Sequence, residues 1–224
     1  MSFPKIASVM LALACAGCST LRPDLSPDRL ALGTTTKAEV LQSFGLPGGM
    51  DTISGPEIPV LTTLFRYGVT KGRAPEVFRG AWEIPQRNLF LEFVNDTLHG
   101  FLYNNSADKH TTNFDKHLRW KIPIGLATRE NVLALLGEPS GKMLMPTGLL
   151  GDPGLTLLRH EMPARATDVW CFYYGYPYFK EGVRKRLEFY RFLAVYFDAR
   201  GVVVDKYFTE SDKTEPSAVP IYSH

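Results

Sequence analysis

The chain has 224 residues and a formal net charge of +2, with 45% hydrophobic and 12% aromatic residues. That much apolar material excludes a disordered chain. The 25 basic residues nearly balance the 23 acidic ones, which gives no electrostatic case for nucleic acid. Three cysteines are too few for a disulfide-stapled miniprotein.

The chain opens MSFPKIASVMLALACAGC. Lys5 supplies one positive charge, Ile6 to Ala14 is a short apolar stretch, and the small residues Ala14, Ala16 and Gly17 follow. This is the layout of a secretory signal, too short to anchor the chain by itself. Ala16-Gly17-Cys18 resembles the lipobox of bacterial lipoproteins. The resemblance implies that residues 1–17 are removed, that Cys18 is lipidated on sulfur, and that the new amino terminus is acylated. Two or three acyl chains anchor a protein stably. Cys15 stands where the pattern prefers Leu. It also follows Ala12-Leu13-Ala14, a poorer second lipobox, and an ordinary cleaved signal is the third reading. Ser19 rather than Asp after the cysteine implies attachment to the outer membrane, facing the periplasm.

After a tether over 18–25, Ser26-Pro27-Asp28 offers an N-cap, a proline at the first helical position and an acid in the first turn. Residues 33–47 read GTTTKAEVLQSFGLP. Thr36 caps a short helix with Glu39 reaching back, and Val40, Leu41 and Phe44 form its apolar face. Gly45 suits a left-handed position after the helix, and Pro47 stops it resuming. Strands follow at 64–69, at 89–94 and at 98–103, the last two joined by a turn at Asn95-Asp96. Residues 104–112 read as a polar linker, and Asn113-Phe114-Asp115 can begin another short helix.

Residues 125–139, GLATRENVLALLGEP, repeat the pattern of 33–47 at an offset of 92. Thr128 repeats the cap with Glu130 in the first turn. Val132, Leu133 and Leu136 repeat the apolar face, and Gly137 and Pro139 the stop. A Gly/Pro-broken loop is expected over 140–168. Strands then follow at 169–176, 187–197 and 202–208, with a turn over Asp198-Ala199-Arg200-Gly201. Lys180, Arg184, Lys185 and Arg186 make a basic hairpin tip, and 209–224 reads as a frayed tail. The strand pairs Leu89/Leu193, Leu91/Val195 and Phe93/Phe197 align at an offset of 104.

The expected fold is therefore α+β: two tandem repeats, 26–103 and 113–208, each with short helices on one face of a three- or four-stranded antiparallel sheet. The pattern G-x-T-x-x-x-V-L-x-x-x-G-x-P, an aromatic strand and a strand ending F-D-x-x-G-x-V resembles the SmpA/OmlA (BamE-type) lipoprotein domain. The second half carries it through Gly125, Thr128, Val132, Gly137, Pro139, Trp170, Tyr173, Phe197, Asp198, Gly201 and Val202. The first half departs at Val94 and Thr97. Two such domains in tandem are also similar to the β-lactamase-inhibitor-protein architecture.

No catalytic or metal-binding pattern stands out. His99, His110, His117, His160 and His224 form no zinc motif. Asp108, His110, Asp115 and His117 read as a solvated linker. Cys171 reads as a buried small hydrophobe. The expectation is a non-enzymatic binding protein without a cofactor or metal. Tyr190, Phe192 and Tyr196 alternate onto one side of their strand, opposite Leu187, Phe189, Leu193, Val195 and Phe197. A sheet with helices on one face has no need of a second apolar face. Either the 140–168 segment covers these aromatics, or they meet a partner together with Tyr176 and Tyr178. The resemblance implies a lipid-anchored scaffold whose partners are outer-membrane lipid, through Cys18, and outer-membrane or envelope assembly proteins. The alternative is an inhibitor-like module that binds a periplasmic enzyme through an aromatic sheet face.

Overall fold

The computed structural model describes residues 25–55, 58–70, 81–107, 112–151, 162–180 and 187–213. The signal, Cys15 and Cys18 lie outside them, as do Asp108, His110, most of the basic hairpin tip and 214–224.

The chain forms β1 (Gly49–Gly55), β2 (Ile58–Thr70), β3 (Ala81–Glu83), β4 (Gln86–Val94), β5 (Thr97–Asn105), β6 (Gly141–Leu144), β7 (Asp168–Lys180), β8 (Leu187–Phe197) and β9 (Val203–Lys213). All pairs are antiparallel. The strands build one continuous sheet in the order β1-β2-β4-β5-β6-β7-β8-β9, with β3 added on β7. Two eight-residue helices, α1 (Lys37–Phe44) and α2 (Arg129–Leu136), pack on it. The class is α+β. The separate three- or four-stranded sheets expected for the halves are instead fused edge to edge through β6. That short strand lies in the segment expected to be an irregular loop. It pairs with β5 through Gly100↔Met143 and with β7 through Met143↔Val169.

Both helices start on the predicted threonines. Thr36 and Glu39 form a reciprocal capping box. At α2 the third helical residue is Asn131, which forms the reciprocal capping box with Thr128, and Glu130 stands in the first turn as expected. Three backbone bonds then tie each helix entrance to a hairpin. Gly33 N donates to Leu98 O, Leu98 N to Thr35 O, and Lys37 N to Asp96 O. In the other half Gly125 N donates to Val203 O, Val203 N to Ala127 O, and Arg129 N to Gly201 O. The hairpins differ by one residue. Asn95 and Asp96 both take positive φ (49° and 64°), while the longer turn uses Gly201 (φ 78°). Asn and Asp tolerate that region, so Thr97 can stand where the other half has a turn glycine.

The register Phe101↔Lys142↔Trp170 puts both helices on one face. On that face Val40 and Phe44 pack on Phe65, Leu89, Leu91 and Phe93. Val132 packs on Phe172, Leu193, Val195 and Phe197. The opposite face carries a third core that crosses both halves, from Leu64 and Leu102 through Met143, Val169 and Cys171 to Phe192, Ala194 and Tyr196. Burying both faces of β8 explains its near-continuous apolar run.

Two boundaries move. Asn104, Asn105 and Thr112 are buried, so the start of the expected linker is the end of β5 and part of the core. β9 runs on to Lys213, five residues into the expected tail, because Glu188 through Phe192 supply it with a partner strand.

Candidate partner-binding surfaces

The five aromatic residues singled out from the sequence fall on two faces. Gly175↔Tyr190 and Tyr176↔Phe189 are adjacent pairs, so Tyr176 and Tyr178 point away from the side of Tyr190, Phe192 and Tyr196. Phe192 and Tyr196 have 0% of their surface exposed. They are core residues, and direct contact with a partner at these two positions is corrected to packing. Tyr190 is half-buried against the same cluster.

What covers them is the segment after β6. Leu149 and Leu150 are both buried and belong to the core of Phe192, Ala194 and Tyr196. The segment is held by Glu92 of β4, which is fully buried. The Glu92 carboxylate accepts from Thr147 Oγ1, and from Gly148 N at 2.7 Å. His99 Nε2 lies 2.9 Å from Pro146 O. In the sequence Glu92 looks like one more polar residue in an alternating strand; nothing there announces a buried acid.

On the helix-bearing face, the Tyr176 ring packs edge-on or tilted against Tyr174 at 5.6 Å, Tyr178 at 6.1 Å and Phe189 at 5.2 Å between ring centroids. Tyr176 and Tyr178 are half-buried rather than fully enclosed, so this ladder keeps an accessible edge.

A second surface was not legible as such. Trp120, Ile124 and Leu126 are 70%, 52% and 77% exposed. They stand on the 3-10 helix Lys116–Lys121 and the turn after it. This ridge is rigidly built. The Arg119 guanidinium lies 4.4 Å from the Trp120 ring and 4.0 Å from the Phe208 ring. Lys206 Nζ donates to Arg119 O and Ile122 O, each at 2.7 Å. Partial burial, and then the charge of Arg119, lower the Lys206 pKa. The available signal was the run Trp120 to Leu126, where large apolar residues alternate with proline and glycine beside a cationic helix.

A cleft of about 790 Å³ is floored by Phe101 and Tyr103 and walled by Asp28 and Leu32 on one side and Glu138 and Lys142 on the other. Lys142 Nζ sits 3.4 Å from the Glu138 carboxylate and 5.2 Å from the Trp170 ring centroid, so its charge is engaged within the protein. Among the described residues no group of three or more His, Cys, Asp or Glu comes together to hold a metal. None of the helices there is long and apolar enough to cross a membrane. Cys171 is fully buried, and burial pushes its thiol pKa far up.

No family model matches the chain, and no curated protein matches its sequence. Among solved structures it is similar to a Streptococcus mutans protein described as a "putative beta-lactamase inhibitor protein", at 12% identity and a TM-score of 0.39, over 78% of this chain and 82% of that one.

Proposed function

We propose that the chain is a lipid-anchored periplasmic lipoprotein of the outer membrane that acts by binding, as a scaffold in outer-membrane or envelope assembly. The observation that carries the binding reading is the rigid, exposed ridge of Trp120, Ile124 and Leu126. Trp and Arg dominate interface hot spots, and here Arg119 fixes the Trp120 ring. The lipobox-like Ala16-Gly17-Cys18 supports the anchor. Leu25 is 1% exposed and already belongs to the core beneath α1. Seven residues after Cys18 reach at most about 25 Å, which would hold the body against the bilayer.

We read the two halves as tandem copies of one unit, resembling the SmpA/OmlA domain. The paired threonine caps, the paired glycines and the two sets of three backbone bonds support this. In that reading the shared sheet is what keeps two small units from exposing edges where they meet.

A second reading, an inhibitor-like module that binds a periplasmic enzyme, is favoured by the partly accessible ladder of Tyr176 and Tyr178. Labelling with a fatty-acid analogue tests the anchor: Cys18→Ala should carry no label, and undiminished label would overturn lipidation at that cysteine. Co-purification from membranes in mild detergent tests the role. Outer-membrane assembly proteins would support the scaffold, and a single soluble enzyme would support the second reading.

A further inference from the structure

We propose that residues 145–150 form a strap that opens as a unit while the sheet beneath stays folded, and that Glu92 is its latch. The inference does not depend on the anchor or on the scaffold reading. Beyond the end of β6 the strap has few polar attachments among the described residues. Met145 N donates to Thr167 O at 3.0 Å, and His99 Nε2 meets Pro146 O. The other two join Thr147 Oγ1 and Gly148 N to the one carboxylate of Glu92. Thr147 Oγ1 in turn accepts from Leu149 N at 3.2 Å, which places the two leucines on the core. A single side chain on β4 therefore holds both polar groups that lead into the two buried leucines.

The chemistry of the latch makes it releasable. Glu92 lies among Leu64, Gly100 and Met143, and its carboxylate has been taken out of water. Desolvation opposes the closed state, and the bonds from Thr147 and Gly148 offset it. On opening, the carboxylate regains its hydration. Opening by such a route is sub-global, since the ladders of β4, β5, β7 and β8 do not depend on the strap. It would uncover an apolar face shared by both halves, including Leu102, Cys171, Phe192 and Tyr196, which the closed strap withholds.

Cys171 sits in that core and is a built-in reporter. In the full chain carrying Cys15→Ser and Cys18→Ser it is the sole thiol, and its reaction with a disulfide dye under native conditions measures uncovering of the face. Glu92→Ala should raise the labelling rate by roughly tenfold or more, the scale of one lost bond to a charged group, and Glu92→Gln by less. Val132→Ala, in the core on the other face, should lower global stability without a matching rise. Labelling rates that follow global unfolding in all three variants would overturn the strap. Should Glu92→Ala fail to fold, Thr147→Val removes one latch bond. Hydrogen exchange should then show Gly148, Leu149 and Leu150 losing protection while β7 and β8 keep theirs. Uniform loss across both would equally overturn the proposal.

Discussion

The side-chain amide of Asn104 completes the edge of β7 at Gly175: Nδ2 donates to Gly175 O at 2.8 Å, and Oδ1 accepts from Gly175 N at 3.2 Å. On that edge β6 pairs only with Asp168 to Cys171, and β3 only with Tyr178 to Lys180. The backbone between them needs other partners. Ser140 supplies one pair, its Oγ accepting from Tyr173 N at 2.9 Å and donating to Tyr173 O at 3.2 Å. Asn104 supplies the next. Two side chains thus imitate two residues of a strand and close the seam between the halves.

Asn104→Leu keeps the volume and removes both bonds, taking the Asn104 acceptor from Gly175 N and leaving Gly175 O the weaker bond from Gln86 Nε2 at 3.4 Å. A loss of about 2 kcal/mol is expected, or a fall of roughly 6 °C in Tm for a chain of this size. Asn104→Asp retains the acceptor, loses the donor and adds a charge, and should be no better. A Tm for Asn104→Leu within about 1 °C of the parent would show that the seam does not rest on this amide.

The glycines that end the two helices are not in the left-handed helical region expected from the sequence. Gly45 has φ 76° and ψ −160°, and Gly137 has φ 79° and ψ −165°. That region is open essentially to glycine alone. No heavy atom lies within 4 Å of where either Cβ would stand, so the cost of a side chain is all backbone strain. Gly137→Ala should destabilise by about 2 kcal/mol, while Gln42→Ala on exposed α1 changes little. Asn often replaces glycine in the left-handed helical region but has no such advantage here. Gly137→Asn should therefore be as damaging as Gly137→Ala, and an Asn variant of parental stability in a urea melt would contradict the observed geometry.

The helices and long strands were legible because each is a local periodicity with a chemical stop: Thr36 and Thr128 begin, Gly45 and Gly137 end, and alternation carries 187–197. What was not legible was anything that depends on a partner distant in sequence. β6 is four residues beginning with glycine, a strand only because β5 and β7 flank it. Asn104 reads as linker polarity until Gly175, 71 residues on, is placed against it. The aromatic face was visible as an excess of Tyr190, Phe192 and Tyr196, but period-two alternation could not say what covered it. Leu149 and Leu150 answer that, through an acid on β4 whose burial no local pattern encodes. The Trp120 ridge was hidden for the opposite reason: the apolar run Trp120 to Leu126 stands in the sequence, but a run of that kind reads equally well as core, and only the fold shows that it is exposed.

Glu210 predicts a pH dependence. Its carboxylate accepts from Lys116 Nζ at 2.8 Å and from Arg191 Nε at 2.9 Å, and these bonds, Lys116 first, hold its pKa below the ordinary 4.5. A carboxyl with a depressed folded-state pKa contributes stability that is full above the unfolded value and is lost as pH falls through the folded one. The contribution should therefore be intact above about pH 5 and fade in acid below 4.5. Glu210→Gln should lower Tm near neutrality and narrow the gap between neutral and acid melts. An unchanged gap would show that the exposed pair with Lys116 is screened to nothing, as many surface pairs are.

The last expectation concerns the ridge of Trp120 and Leu126. Both side chains are largely exposed, so Trp120→Ser with Leu126→Ser removes little packing and should change stability by less than about 1 kcal/mol, including the lost stacking with Arg119. If the ridge meets a partner, the same pair should weaken co-purification at least about tenfold, the scale of a hot-spot residue. Lys206→Met separates shape from contact. It leaves Trp120 and Leu126 in place but withdraws the ammonium that holds the carbonyls of Arg119 and Ile122. A preorganised ridge then loses affinity because ordering its segment must be supplied on binding. Retention of partners by the Trp120/Leu126 double variant would move the binding surface to the ladder of Tyr176 and Tyr178. Loss in the double variant with full retention in Lys206→Met would mean the apolar contact matters and its rigid mounting does not.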